Sequence, residues 1–142
     1  MKSILWFRIT AVLLFLHCVG YSFSFLILRP YSSEGRAVWT FMRRTRIPDG
    51  DSTVTYSDFY TGFGLFTAAF FLLEAFLAWY CSFLVGEYVE GAIILGWSLL
   101  LLQALSLLLS WRYFSTMQVV ISAFTGACAG IALAFVTPLP AL

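Results

Sequence analysis

The sequence predicts an all-α membrane protein: a four-transmembrane-helix bundle with a long structured loop between helices 1 and 2. Three observations predict it. Hydrophobic residues make up 61% of the 142 residues and charged residues only 11%, against about a quarter charged in soluble domains. The apolar residues run continuously and do not alternate, as strands of a membrane barrel would require. They fall into four stretches, each near the about 20 residues that a helix needs to cross about 30 Å of hydrocarbon. A helix also bonds its own backbone groups internally, which lipid demands. The net charge of +1 excludes an electrostatic nucleic-acid binder. The apolar content excludes disorder and a collagen-like chain. Residues 1–142 are read as a single membrane domain.

The first span is expected over about residues 4–28. Lys2 ahead of an apolar run suggests a secretory signal, but about 25 apolar residues exceed a signal core and no A-x-A site follows, so a retained helix is expected. Residues 29–58 form the long loop and hold five of the eight Lys and Arg residues. Within it, residues 34–47 suit a basic amphipathic helix at the membrane surface, with Val38, Trp39, Phe41 and Met42 toward the acyl chains. Pro48-Asp49-Gly50 then makes a turn, and Ser57 or Asp58 can cap the next helix. The second span is expected over about residues 59–85, the third over 91–110 and the fourth over 114–136. A short acidic turn with Gly86, Glu87 and Glu90 joins the second and third spans; Trp111, Arg112 and Tyr113 join the third and fourth. Thr137-Pro138-Leu139-Pro140 ends the last helix, because proline cannot continue it.

Orientation follows from cation asymmetry. Arg29, Arg36, Arg43, Arg44, Arg46 and Arg112 lie on one side, and Lys2 and Arg8 on the other. This places the loop in the cytoplasm and both termini outside. The competing expectation is that the loop packs as a small subdomain whose arginines answer local partners.

Polar residues at span depth mark sites by default, because charge in hydrocarbon is costly. His17, Glu74 and Gln103 lie near mid-span. At about 100° per residue, Ser3, Thr10, His17, Tyr21 and Ser24 share one arc of the first span. Glu74 shares a face with Tyr60, Thr67 and Cys81, and Gln103 with Gly96 and Ser110. Such stripes should face one another, since lipid offers them no partner. Arg8 points away from His17 and can snorkel to the interface. His17 and Glu74 can form a coupled pair, with Tyr21 and Gln103 nearby, that carries a proton or orients a quinone head; His17 can also be an axial ligand to haem or chlorophyll. Alternatively, these residues are hydrogen-bonding glue between helices.

Ser122, Gly126 and Gly130 repeat every four residues in the fourth span, the small-residue pattern that lets helices approach closely. It serves either an intramolecular contact or a partner subunit. The basic loop residues Arg43, Arg44 and Arg46 are the other candidate partner contacts. Cys18, Cys81 and Cys128 lie on three spans without metal-ligand spacing, and no catalytic motif is found. No metal site is expected. Membrane lipids are the expected surroundings, and the sequence names no cofactor.

The segments Leu16-His17-Cys18-Val19-Gly20-Tyr21 and Thr55-Tyr56-Ser57-Asp58-Phe59-Tyr60-Thr61-Gly62-Phe63-Gly64-Leu65 resemble a family of small, uncharacterised bacterial four-helix integral membrane proteins, loosely DoxX-like. The resemblance covers the first half of the chain. It implies four helices in a bacterial inner membrane and supplies no chemistry. Tyr21 stands where that pattern has a second His, which counts against a two-His site. Read physically, Gly62 and Gly64 let another backbone or an aromatic ring pack closely at the entry to the second span.

Two functions follow from these residues. One is an accessory or structural subunit of a larger membrane protein complex, without catalysis of its own, bound to other subunits or to itself. The other is a binding protein for a quinone, lipid or haem-type molecule, or a proton relay, built on His17 and Glu74.

Overall fold

Continuous apolar runs become long helices in the computed structural model, which describes residues 1–27, 30–48 and 53–137. The helices are α1 (Lys2–Leu26), α2 (Ser33–Arg44), α3 (Tyr56–Glu87), α4 (Val89–Tyr113) and α5 (Thr116–Ala134). Four of them, α1, α3, α4 and α5, are long and apolar enough to cross a membrane, the architecture of a multi-pass membrane protein.

The expected long loop is corrected. Twelve of its residues form α2, followed by an antiparallel bridge between Arg46 and Thr55. The Ser32 side chain accepts a bond from the Gly35 N–H at 3.0 Å and so caps α2, satisfying one donor that a helix start leaves free. Glu34 lies in the first turn, and Arg43 and Arg44 in the last; both suit the helix dipole. Hydrogen bonds from its own backbone N–H and from the Ser33 hydroxyl hold the Glu34 carboxyl below the usual carboxylate range. Thr45 turns extended and ends α2 three residues before the expected limit at Ile47. The chain then pairs back, Ile47 N–H to Val54 O at 3.0 Å and Tyr56 N–H to Thr45 O at 3.1 Å. Asp49 and Gly50 of the expected turn lie outside the described residues, as do Arg29 and Pro138, Leu139 and Pro140.

The cap of α3 also differs from expectation. Thr55, the residue before the helix, takes that place, not Ser57 or Asp58. Its hydroxyl accepts from the Asp58 N–H at 3.2 Å, while Asp58 Oδ2 accepts from the Thr55 N–H at 3.0 Å and the Thr55 hydroxyl at 2.7 Å. This reciprocal arrangement is a capping box with Asp in the acidic position, and it starts α3 at Tyr56. At the other end α3 runs to Glu87, so the expected acidic turn shrinks to the single residue Tyr88. Trp111, Arg112 and Tyr113 form the last turn of α4 and not a link.

The chain divides into two compact units: Met1–Leu16 with Leu72–Leu142, and His17–Phe71. In the first, buried positions recur at alternating spacings of three and four: Ser3, Phe7, Thr10 and Leu14 on α1, then Ala92, Gly96, Leu99 and Gln103 on α4, and Ser122, Thr125, Ala129 and Ala132 on α5. That spacing is the seam of left-handed helix packing. The composition is inverted relative to a soluble protein. Small and hydroxyl-bearing residues fill most of the seams, while Trp97, Leu101 and Leu108 face outward, Leu101 at 71% exposure. Thr10 and Thr125 donate to the carbonyls four residues back, Trp6 O and Ile121 O, at 2.9 Å, so each hydroxyl is satisfied without leaving its helix.

In the second unit, aromatic rings do the packing. His17, Tyr21 and Phe25 of α1 meet Phe71 and Tyr60 of α3, and Tyr60 meets Trp39 of α2. The Phe25 ring lies where a Cβ on Gly64 would stand; the close aromatic approach expected at the glycine-rich entry occurs at Gly64, while Gly62 faces open space.

Candidate functional site

Glu74 and Gln103, two of the three span-depth candidates, come together in the first unit. Glu74 is 6% exposed on α3 and Gln103 is 2% exposed on α4. Gln103 Nε2 donates to Glu74 Oε2 at 2.7 Å. The expected companions Gly96 and Ser110 of the Gln103 face are buried, as is Cys81 on the Glu74 face; Thr67 is half-buried and Tyr60 exposed. No buried side-chain nitrogen or oxygen among the described residues lacks a hydrogen-bond partner. An amide and a carboxyl joined this way clamp two helices.

The small-residue stripe of α5 faces α4. The Ser122 and Ser110 hydroxyls lie 3.4 Å apart. A Cβ on Gly126 would sit 3.5 Å from Gln103 Cβ, and one on Gly130 would sit 3.7 Å from Leu100 Cδ1. Gly96 of α4 is tighter: a Cβ there would come within 2.9 Å of Leu133 Cδ1 and 3.3 Å of Phe7 Cζ. Arg8 is exposed and lies over the rings of Trp79 at 5.3 Å and Phe83 at 6.0 Å, with Nε donating to the Ser82 hydroxyl at 3.5 Å. It thus keeps its charge on an aromatic surface.

His17 and Tyr21 belong to the second unit. His17 is 8% exposed, with its ring stacked on Phe71 at 4.1 Å and 15° and meeting Tyr21 edge-on at 5.6 Å. Tyr21 is half-buried and meets Phe71 edge-on at 5.4 Å. The imidazole is therefore held between rings, an environment that fixes its plane. Among the described residues no group of three His, Cys, Asp or Glu side chains is placed to hold a metal ion.

A cleft that the sequence did not single out lies in the same unit. It measures about 640 Å³ and is lined by Ser24 and Phe25 of α1, Val38, Trp39 and Met42 of α2, and Tyr60 of α3, with Pro30, Tyr31 and Gly35 beside them. The expectation for α2 is thereby divided. Trp39, Met42 and Val38 line the cleft, whereas Phe41 is exposed on the opposite side with Arg36, Thr40 and Arg44. Arg43 and Arg46 are exposed as well. Two signals pointed toward the cleft: the Tyr21 and Phe25 spacing of four, which puts both rings on one helix face, and the residue Gly64 that admits one of them. No family model, curated protein or solved structure matches the chain.

Proposed function

We propose that the chain is an accessory or structural subunit of a larger membrane protein complex, without catalysis of its own. The observation that carries this reading is the Gln103–Glu74 bond of 2.7 Å. The most chemically capable carboxyl at span depth is engaged in joining α3 to α4. The exposed arginines Arg43, Arg44 and Arg46 are the contacts we assign to partner subunits or to a second copy. The stripe Ser122, Gly126 and Gly130 supports the hairpin of α4 and α5. The resemblance of residues 16–21 and 55–65 to a bacterial family supports an inner-membrane location. The cation asymmetry supports a cytoplasmic α2 with both termini outside. Native mass spectrometry of the gently extracted particle tests the proposal. A stoichiometric larger assembly is expected, and a chain that is reproducibly alone overturns it.

A second reading, a small-molecule or proton site at His17, rests on the burial of that imidazole among Phe71 and Tyr21. A quinone, lipid or haem-type ligand then depends on His17. His17→Ala should remove the ligand mass while the protein still assembles; unchanged ligand content rules this reading out.

A further inference from the structure

Arg8 is a cation within α1, a helix long and apolar enough to span a membrane. It lies six residues past Lys2, about 9 Å along the axis at about 1.5 Å per residue. Charge at such a depth is costly and calls for a partner. The protein supplies only part of one. Arg8 Nε donates to the Ser82 hydroxyl at 3.5 Å, and that hydroxyl donates in turn to the Trp79 carbonyl at 2.7 Å. The guanidinium Cζ stands 5.3 Å from the Trp79 ring and 6.0 Å from the Phe83 ring. Among the described residues no carboxylate pairs with Arg8, and its Nη donors bond no protein group. Rings and one hydroxyl thus hold the guanidinium in place without neutralising it. A groove of about 500 Å³ adjoins it in the same unit. Buried Ala11 and Ala75 form the floor, and exposed Val12, Phe15, Leu72, Phe76 and Trp79 form the walls. Arg8, Val12 and Phe15 are spaced by four and three and share one face of α1, as Trp79, Phe76 and Leu72 share one face of α3. The contact of Arg8 with Trp79 sets the guanidinium at one end of both rows. The groove therefore runs along the helices from a charged end, near the start of α1, about 10 Å toward mid-span.

We infer that this groove binds one anionic phospholipid, with its phosphate on Arg8 and an acyl chain along Val12, Phe15 and Phe76. Charge complementarity and direction select this occupant. A phospholipid carries its anion at the membrane surface and its hydrocarbon inward, the same order as the cation and the apolar groove. Arg8 can reach back to the headgroup layer, as long basic side chains do near the ends of spanning helices. Its planar fork suits two phosphate oxygens. The walls offer water no side-chain hydrogen-bond partner other than the Trp79 ring N–H, so hydrocarbon fills the space better than water. The alanines of the floor leave the room that methylenes then occupy. The inference needs only α1 and α3 and goes beyond the subunit reading.

The test uses the full chain in nanodiscs of equal phosphatidylglycerol and phosphatidylcholine, followed by native mass spectrometry of the released protein. The wild type should retain one phosphatidylglycerol, preferred over phosphatidylcholine by about fivefold, the factor expected for one basic residue near a membrane surface. Arg8→Gln should lose that preference, and Arg8→Lys should keep it. Val12→Trp and Leu72→Trp fill the groove from its two exposed walls, leave the buried floor intact, and should each lose the retained lipid. Lys2→Gln removes the other cation at the start of α1 and should change nothing. Equal retention of the two lipids by the wild type overturns the inference, and so does retention of neither, since a second copy or a partner helix then fills the groove. Retention undiminished in the filled variants overturns it as well. A loss of preference in Lys2→Gln equal to that in Arg8→Gln also does so, because surface charge in general then attracts the lipid. A lone chain that carries the lipid fails the subunit proposal and keeps this inference, and a larger assembly without the lipid does the reverse.

Discussion

The Glu74 unit and the His17 unit bury polar groups by different means. In the first, a carboxyl meets an amide at 2.7 Å and two serine hydroxyls approach to 3.4 Å. In the second, an imidazole lies on a phenyl ring at 4.1 Å, and hydroxyl-bearing Tyr21 and Tyr60 take part through their rings. The difference follows from side-chain size. Ala, Gly, Ser and Thr seams bring helices near enough for short polar side chains to reach across, and bonds made there have no water to compete with them. In the second unit rings do the packing, and the volume they do not fill remains as the cleft. One unit is thus built for a fixed interior and the other for accommodation.

The sharpest way to break that comparison is to enlarge a glycine in each unit. At Gly96 a Cβ already meets Leu133 and fully buried Phe7. Gly96→Leu should therefore cost about 3 kcal/mol, the upper part of the overpacking range, and sharply lower the yield of folded protein. Gly62→Leu adds the same atoms where nothing lies within 4 Å and should leave the unfolding midpoint in mixed detergent–dodecyl sulfate micelles almost unmoved. Equal losses at the two sites would refute the claim that tight side-chain packing around Gly96 sets the interior of the first unit.

Next in size is the clamp. Gln103→Leu leaves the Glu74 carboxyl buried without its donor and should destabilise by about 1–3 kcal/mol. Replacing both residues by Leu should recover most of that loss, because neither polar group is then stranded. The coupling measured in a double-mutant cycle should fall at about 0.6–1.7 kcal/mol, the span found for interhelical bonds in membrane proteins. A coupling near zero would mean that the two groups are as well satisfied apart as together, and the subunit proposal would lose its main support.

The four spans and the burial of Gln103 were legible in the sequence for one reason: lipid punishes polarity, so hydropathy located the helices and helical phase put Gln103 on the buried face with Gly96 and Ser110. That its partner is Glu74 was not legible, since the sequence paired Glu74 with His17. The same logic failed at both ends of α3. Hydropathy weighs Thr55, Tyr56 and Glu87 as boundary residues, whereas a capping box and a single-residue joint at Tyr88 extend the helix past its apolar core. At α2 the amphipathic pattern is plain, but periodicity alone does not say that Trp39 meets Tyr60 or that Val38 and Met42 line one cleft with Phe25. The cleft became visible only when residues far apart in the chain were placed together.

The ring stack of the second unit should respond more gently than the clamp. Phe71→Leu keeps an apolar side chain but removes the face on which His17 lies. An aromatic pair contributes about 0.5–1.5 kcal/mol beyond area, so a loss of about 1 kcal/mol is expected. The His17 ring protons should also shift downfield in the NMR spectrum as the ring current of Phe71 disappears. A spectrum that keeps the wild-type shifts would show that the imidazole is not held by this ring, and the environment assigned to His17 would be wrong.

The smallest effect should come from the start of α3, and it should be local. Thr55 and Asp58 satisfy each other's backbone donors at an exposed helix end. Thr55→Ala removes the hydroxyl and should cost about 1 kcal/mol or less, within the range for capping residues. That loss belongs to the first turn, so amide exchange should quicken at Asp58 and Phe59 while the amides around Ala75 and Ala78 stay protected. Thr55→Ser keeps the hydroxyl and should leave exchange at the wild-type level. If Thr55→Ala instead speeds exchange along the whole of α3, the cap supports the entire helix, and the division between a fixed unit and an accommodating one would have to give way to a single cooperative α3.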